Sequence, residues 1–213
     1  MLALNGQAGL AEVELARAAK AARAGDRAAA ARHRALGTEG YRTSVDRARS
    51  SAQRLRPEAL IALAILVATE CQAASDAAAN SDTAVDTDAA SDARMLRDHG
   101  RDLRIRLLVE FRRRSIQFDR PVLGTATVAM ARWALDARDE PGLAAELLAL
   151  ASGISPRQDS PSMRIEQHVA HVSAAVGADE YGRMLEASGR LTRDERVARI
   201  SELLSSPALR LQK

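Results

Sequence analysis

The stretch from Asp119 to Gly153, DRPVLGTATVAMARWALDARDEPGLAAELLALASG, restricts the fold more than any other part of the chain. Pro121 suits a first helical turn, where its missing N–H is no loss. Val128, Ala131 and Leu135 then recur at helical spacing, Arg138-Asp139-Glu140-Pro141 turns the chain, and Ala144, Leu148 and Ala151 answer on the return. Small residues on both arms let two helices approach closely. Such a hairpin has more apolar surface than it can bury alone, so it requires helical neighbours on either side. Trp133, the only tryptophan, reads as a core anchor, whereas Arg132 stands close to where a small residue is expected.

The rest of the chain supplies those neighbours. Only 2% of its residues are aromatic, and alanine and leucine provide most of the apolar side chains, which disfavours strands and predicts an all-α fold. Leu10, Val13 and Leu15 open an amphipathic helix that runs through Ala24. Gly25-Asp26 stops it and caps a second helix over 27–36. The two echo the later hairpin, ARAAKAARAGDRAAAA against ARWALDARDEPGLAAE. Gly37 and Gly40 are expected to interrupt the chain before a further helix over 41–55, and Arg56-Pro57 marks a boundary.

Residues 57–74 form the most apolar helix, placed centrally and covered on most sides. Its longest apolar run, Ala59 to Ala68, is too short to span a bilayer, and no secretory signal opens the chain, so a cytoplasmic protein without membrane contact is expected. Residues 75–93 are built largely from Ala, Ser, Asp, Asn and Thr and read as a low-complexity mobile linker or loop insertion. It separates N-terminal helical hairpins over 1–74 from C-terminal ones over 94–213. In the second set a long arginine-rich helix over 94–118 precedes the hairpin. SPRQDSPS then connects to a helix over 163–176, and Gly177 ends it. The next helix, 178–188, has Tyr181 and Leu185 as core candidates, and Thr192-Arg193-Asp194-Glu195 forms a capping box for the last one. Helical hairpins at roughly regular spacing predict a right-handed, tetratricopeptide-like array.

Candidate chemistry is sparse. A lone cysteine, Cys71, lies in the most apolar helix, where burial raises the pKa of a thiol and dulls it. His33, His99, His168 and His171 lie in other segments. His168 and His171 share a helix face with Glu166 nearby but lack a third spaced ligand, so neither a metal nor a catalytic residue is assigned. Gly37-Thr38-Glu39-Gly40 lacks the length and the lysine of a phosphate loop, and no cofactor is implied. The formal charge of +3 arises from arginines interleaved with carboxylates. Their one concentration is Arg112-Arg113-Arg114, with Arg101, Arg104, Arg106 and Arg120 nearby. Arg104, Arg112, Arg113 and Arg114 are the candidates for protein docking or phosphate contact.

From Asp119 onward, the segment DRPVLG, the hairpin with LAAELLALAS, the connection PRQDSPS and the closing VGADEYGRMLEASGRLTRDERVARI resemble the C-terminal region of large actinobacterial transcriptional regulators. Those proteins carry a winged-helix DNA-binding domain, a bacterial transcriptional activator domain, an ATPase module and a tetratricopeptide-like tail. The closing pattern is similar to one in regulators that end in a LuxR-type helix-turn-helix. The resemblance implies a tail that senses or relays through protein or ligand contacts, without the DNA-reading and ATPase domains, and it transfers no site residue. The expectation is a non-enzymatic interaction or regulatory module with a protein partner, and self-association into a homo-oligomer also fits. The alternative is a nucleic-acid binder using the basic helix from Arg101 to Arg120.

Overall fold

The computed structural model describes residues 2–49, 57–80, 87–112, 120–154, 156 and 163–206. Among them every regular element is a helix: α1 (Leu2–Arg23), α2 (Arg27–Arg49), α3 (Pro57–Asn80), α4 (Thr87–Arg112), α5 (Arg120–Arg138), α6 (Pro141–Ser152), α7 (Ile165–Val176), α8 (Ala178–Gly189) and α9 (Arg193–Ser205). The all-α expectation holds.

Local chemistry sets several of these boundaries. Gly25 adopts a positive φ of 79° after α1, and the Asp26 carboxylate accepts from the Ala29 N–H at 2.9 Å to start α2. Asp139, at φ 54°, turns α5 into α6, with Pro141 opening the new helix. At α9 the capping box is present in full: Thr192 Oγ1 accepts from the Glu195 N–H, and the Thr192 N–H donates to the Glu195 carboxylate at 2.7 Å.

Gly37 and Gly40 do not interrupt the chain; they lie inside α2. A Cβ at Gly37 would come within 2.7 Å of the Leu15 side chain, and one at Gly40 within 2.9 Å of the Ala11 Cβ. Both glycines therefore form a notch in which α1 lies antiparallel against α2. The close approach accounts for residues that otherwise weaken a helix interior. Leu15 enters this contact, whereas Leu10 and Val13 face solvent. Leu185 is likewise exposed, while Tyr181 on the same helix is buried as expected.

Buried residues from Ala11 to Leu204 form one cluster. Helix α3 packs against α2, α4 and α5, and α6 packs against α5, α7, α8 and α9. Each fully buried Leu or Ile on α3 contributes about 1.5–3 kcal/mol, which places much of the core's stabilisation on that helix. The expected hairpin is present: Val128, Ala131, Ala144, Leu148 and Ala151 are all buried, with Leu135 packed at the edge. Helix α9 also reaches back to α4, so contacts are not restricted to successive hairpins.

Helix reaches further into the 75–93 segment than expected. The 75–93 segment is helical on both sides, since α3 continues to Asn80 and α4 begins at Thr87; residues 81–86 lie outside the described residues. Alanine's high helix propensity offsets the polar residues there. Within α3, Glu58–Ser75 is long and apolar enough to cross a bilayer by length and composition alone, and 67% of that window is buried inside the protein, in the core position expected of it.

Candidate functional site

Two adjacent positions on α3 carry polar groups into the core. Glu70 accepts from Arg42 Nε of α2 at 2.9 Å and pairs with His99 Nδ1 of α4 at 2.9 Å. Three helices thus meet at one buried carboxylate. Beside it, Cys71 is fully buried, and burial pushes its thiol well above the usual range; the Asp136 carboxylate adds to that effect and Arg132 opposes it. Such a thiol is a poor nucleophile near neutral pH.

Arg132 explains its own irregular place in the hairpin. It is 1% exposed, donates from Nε to Asp136 at 2.9 Å and reaches Ser75 Oγ of α3 at 3.2 Å. Asp136 also pairs with His171 Nε2 of α7 at 3.0 Å. The Arg132–Asp136 pair is the polar node of a contact between α3, α5 and α7. A buried charge is tolerated when it is paired and hydrogen-bonded in this way.

Arginines elsewhere tie helix ends together. Arg104 Nε donates to the Leu204 carbonyl at the end of α9 at 2.6 Å. Arg196 donates to the Ser188 and Gly153 carbonyls, each at 2.9 Å, and so joins the ends of α8 and α6. Cations at helix C-termini satisfy carbonyls that lack intrahelical partners. Arg106 pairs with Asp102, which also accepts from Arg49 of α2. Of the candidate basic cluster, then, Arg104 is engaged in a contact between α4 and α9. Arg112 ends α4, and Arg113 and Arg114 lie outside the described residues.

A different place has the shape of a binding site. An open cleft of about 340 Å³ is lined from α1 by Leu15, Ala18, Ala19, Ala22 and Arg23, and from α2 by Arg34. Across it stand Ala68, Thr69 and Gln72 of α3 with Gln167 and His168 of α7. The alanines create the space, because one face of α1 carries methyl groups where larger side chains would fill it. Among the described residues the lining holds arginine, amide, hydroxyl and imidazole groups but no carboxylate and no thiol. His168 is buried in this wall while His171 pairs with Asp136, so the two histidines have different surroundings. Among the described residues no three His, Cys, Asp or Glu side chains are grouped to hold a metal ion.

No protein-family model, no curated protein and no solved structure matches the chain. The cleft was not found in the sequence, although the alanine run of α1 is its visible trace. Arg34, Gln72 and Gln167 carry no local pattern that would unite them; only the packing of four helices does so.

Proposed function

We propose that the protein is a non-enzymatic helical interaction and regulatory module, equivalent in role to the tetratricopeptide-like C-terminal part of a transcriptional regulator without the DNA-binding and ATPase domains. In this reading its hairpins stack as a right-handed array. The observation that carries it is the open cleft between the α1–α2 hairpin and α7, where four helices present apolar and polar side chains to one space. An occupant there touches helices distant in sequence and couples them, as a relay requires.

A photo-crosslinking residue in place of Ala19 or Gln167, at the cleft, tests for a protein partner against the same residue in place of Ile105, exposed on α4. A discrete heteromeric product from the cleft positions and none from Ile105 is the expected result. Products of equal yield from all three positions, or none from any, would overturn the partner reading. The nucleic-acid alternative makes a separate prediction: duplex DNA binding that weakens steeply between about 50 and 200 mM salt. Binding of that kind, lost in the triple variant Arg112→Gln, Arg113→Gln, Arg114→Gln, would displace the interaction reading.

A further inference from the structure

We infer that the outward face of the α1–α2 hairpin docks on a lipid bilayer bearing anionic headgroups. The inference stands apart from the cleft and goes beyond the interaction reading. It rests on how charge and apolar side chains are distributed over this hairpin. Residues 16–35 hold six basic residues and one acidic one, a net +5 in a chain whose formal total is +3. The one acid, Asp26, is engaged as the cap of α2. Arg17, Lys20, Arg23, Arg27 and Arg32 are all exposed.

Gly6, Leu10, Val13, Arg17 and Lys20 follow one another at three- and four-residue steps. They therefore share the stripe of α1 opposite the one through which Ala11, Leu15 and Ala18 are buried. Its N-terminal half is apolar and its C-terminal half basic. Leu10 is 69% exposed and Val13 47%. Leu36 of α2, also exposed, lies one turn from His33, which meets Glu14 of α1 at 2.6 Å. The α1 carboxylates are engaged off this stripe or at its edge: Glu12 accepts from the Tyr41 hydroxyl, and Glu14 pairs with His33 and Arg17.

Aliphatic side chains beside arginine and lysine on one outward helix face suit a headgroup layer. The cations meet lipid phosphates and carboxylates there, and leucine and valine enter the acyl boundary. A nucleic-acid backbone would satisfy the cations but leave Leu10, Val13 and Leu36 in water. A second copy would set one strongly positive hairpin against another. Attachment of this kind is peripheral and leaves α3 in the core.

The test floats the full-length protein with vesicles of phosphatidylcholine alone and with vesicles of phosphatidylcholine mixed with phosphatidylserine, and titrates duplex DNA in parallel. Binding at least about tenfold tighter to the anionic vesicles than to the neutral ones is expected. The triple variant Lys20→Gln, Arg27→Gln, Arg32→Gln should lose at least about tenfold of that affinity. The double variant Leu10→Ser, Val13→Ser should lose several-fold with its helical circular dichroism retained, because both side chains are exposed. No binding to anionic vesicles at low salt, equal binding to neutral ones, undiminished binding by the double variant, or duplex DNA bound as tightly as anionic vesicles would each overturn the proposal. Residues 75–93, with five aspartates and no basic residue, are the rival anion within the chain. Vesicle binding that appears only when Asp82, Asp86 and Asp88 are changed to Asn would assign the hairpin to that segment and overturn the proposal as well. Crosslinking at Ala19 or Gln167 is a separate readout, so this inference and the cleft reading can fail independently.

Discussion

At Gly100 of α4, a single hydrogen in place of a side chain decides whether the core closes. A Cβ there would lie 2.1 Å from Trp133 Nε1 and 2.3 Å from Cδ1, and the indole is fully buried. Gly100→Ala is therefore expected to destabilise by about 1–3 kcal/mol through overpacking, more than the roughly 1 kcal/mol of helix propensity it gains. Gly182→Ala on α8, where a Cβ meets nothing within 4 Å, should instead stabilise by about 0.5–1 kcal/mol. Urea midpoints of the two variants check the opposite signs. Asp136→Ala leaves the Arg132 guanidinium buried without its carboxylate and should cost about 3–5 kcal/mol. The double variant Arg132→Met, Asp136→Ala should lose less than the sum of the single changes, as a double-mutant cycle will measure. Trp133 was legible as an anchor from its type alone. Arg132 was legible only as an anomaly: its carboxylate partner Asp136 lies one turn along the same helix, but Ser75, which it also reaches, and His171, which shares Asp136, come from distant segments.

Element boundaries were easiest to read where a few consecutive residues satisfy a helix end. The Gly25-Asp26 turn and the Thr192–Glu195 box are of this kind, and both are present. The Glu195 carboxyl is held below its usual range by hydrogen bonds from the Thr192 hydroxyl and the Thr192 backbone. A carboxyl lowered on folding contributes stability above its unfolded value near 4.3, and the contribution is lost as pH falls through the lowered value. The stability difference between the natural chain and Glu195→Gln should accordingly shrink on acidification from about pH 6 to pH 3; thermal melts along that series check it. Ends joined through space are a different matter. Arg196→Ala removes donors from the Ser188 and Gly153 carbonyls and should cost about 1.5–3 kcal/mol. Arg196→Lys should recover only part, since an ammonium cannot reproduce the planar fork; denaturant unfolding of the pair distinguishes them. Nothing adjacent to Arg196 in the chain announces this role. The same limit applies to Gly37 and Gly40, whose neighbours read as an interruption until α1 is placed against them.

For the molecule as a whole, Cys71 reports whether the helices around α3 open together. Its thiol is fully buried, so a thiol reagent should modify the native protein far more slowly than a free cysteine and at full rate in urea. Native modification at the free-thiol rate would contradict a closed core around α3. Burial raises the folded thiol's pKa above its unfolded value near 8.5. Stability from that position is therefore complete below the unfolded value and declines as pH rises towards the folded one. Cys71→Ala should flatten this alkaline decline, measured by unfolding at pH 7 to 10.

The sequence by itself determined that the described chain is helical, that residues 121–152 form a hairpin, and that residues 57–74 lie on a strongly apolar, largely buried helix. These follow from residue type, helical spacing and capping chemistry, all of which act over a few positions. Tertiary structure alone decided that Glu70 gathers Arg42 and His99, that Arg104 and Arg196 reach the ends of other helices, and that four helices leave a cleft beside the alanines of α1. Those arrangements depend on which helix faces meet. Separation along the chain carries no record of that, because the same alanine stripe serves equally for close packing or for the wall of a cavity.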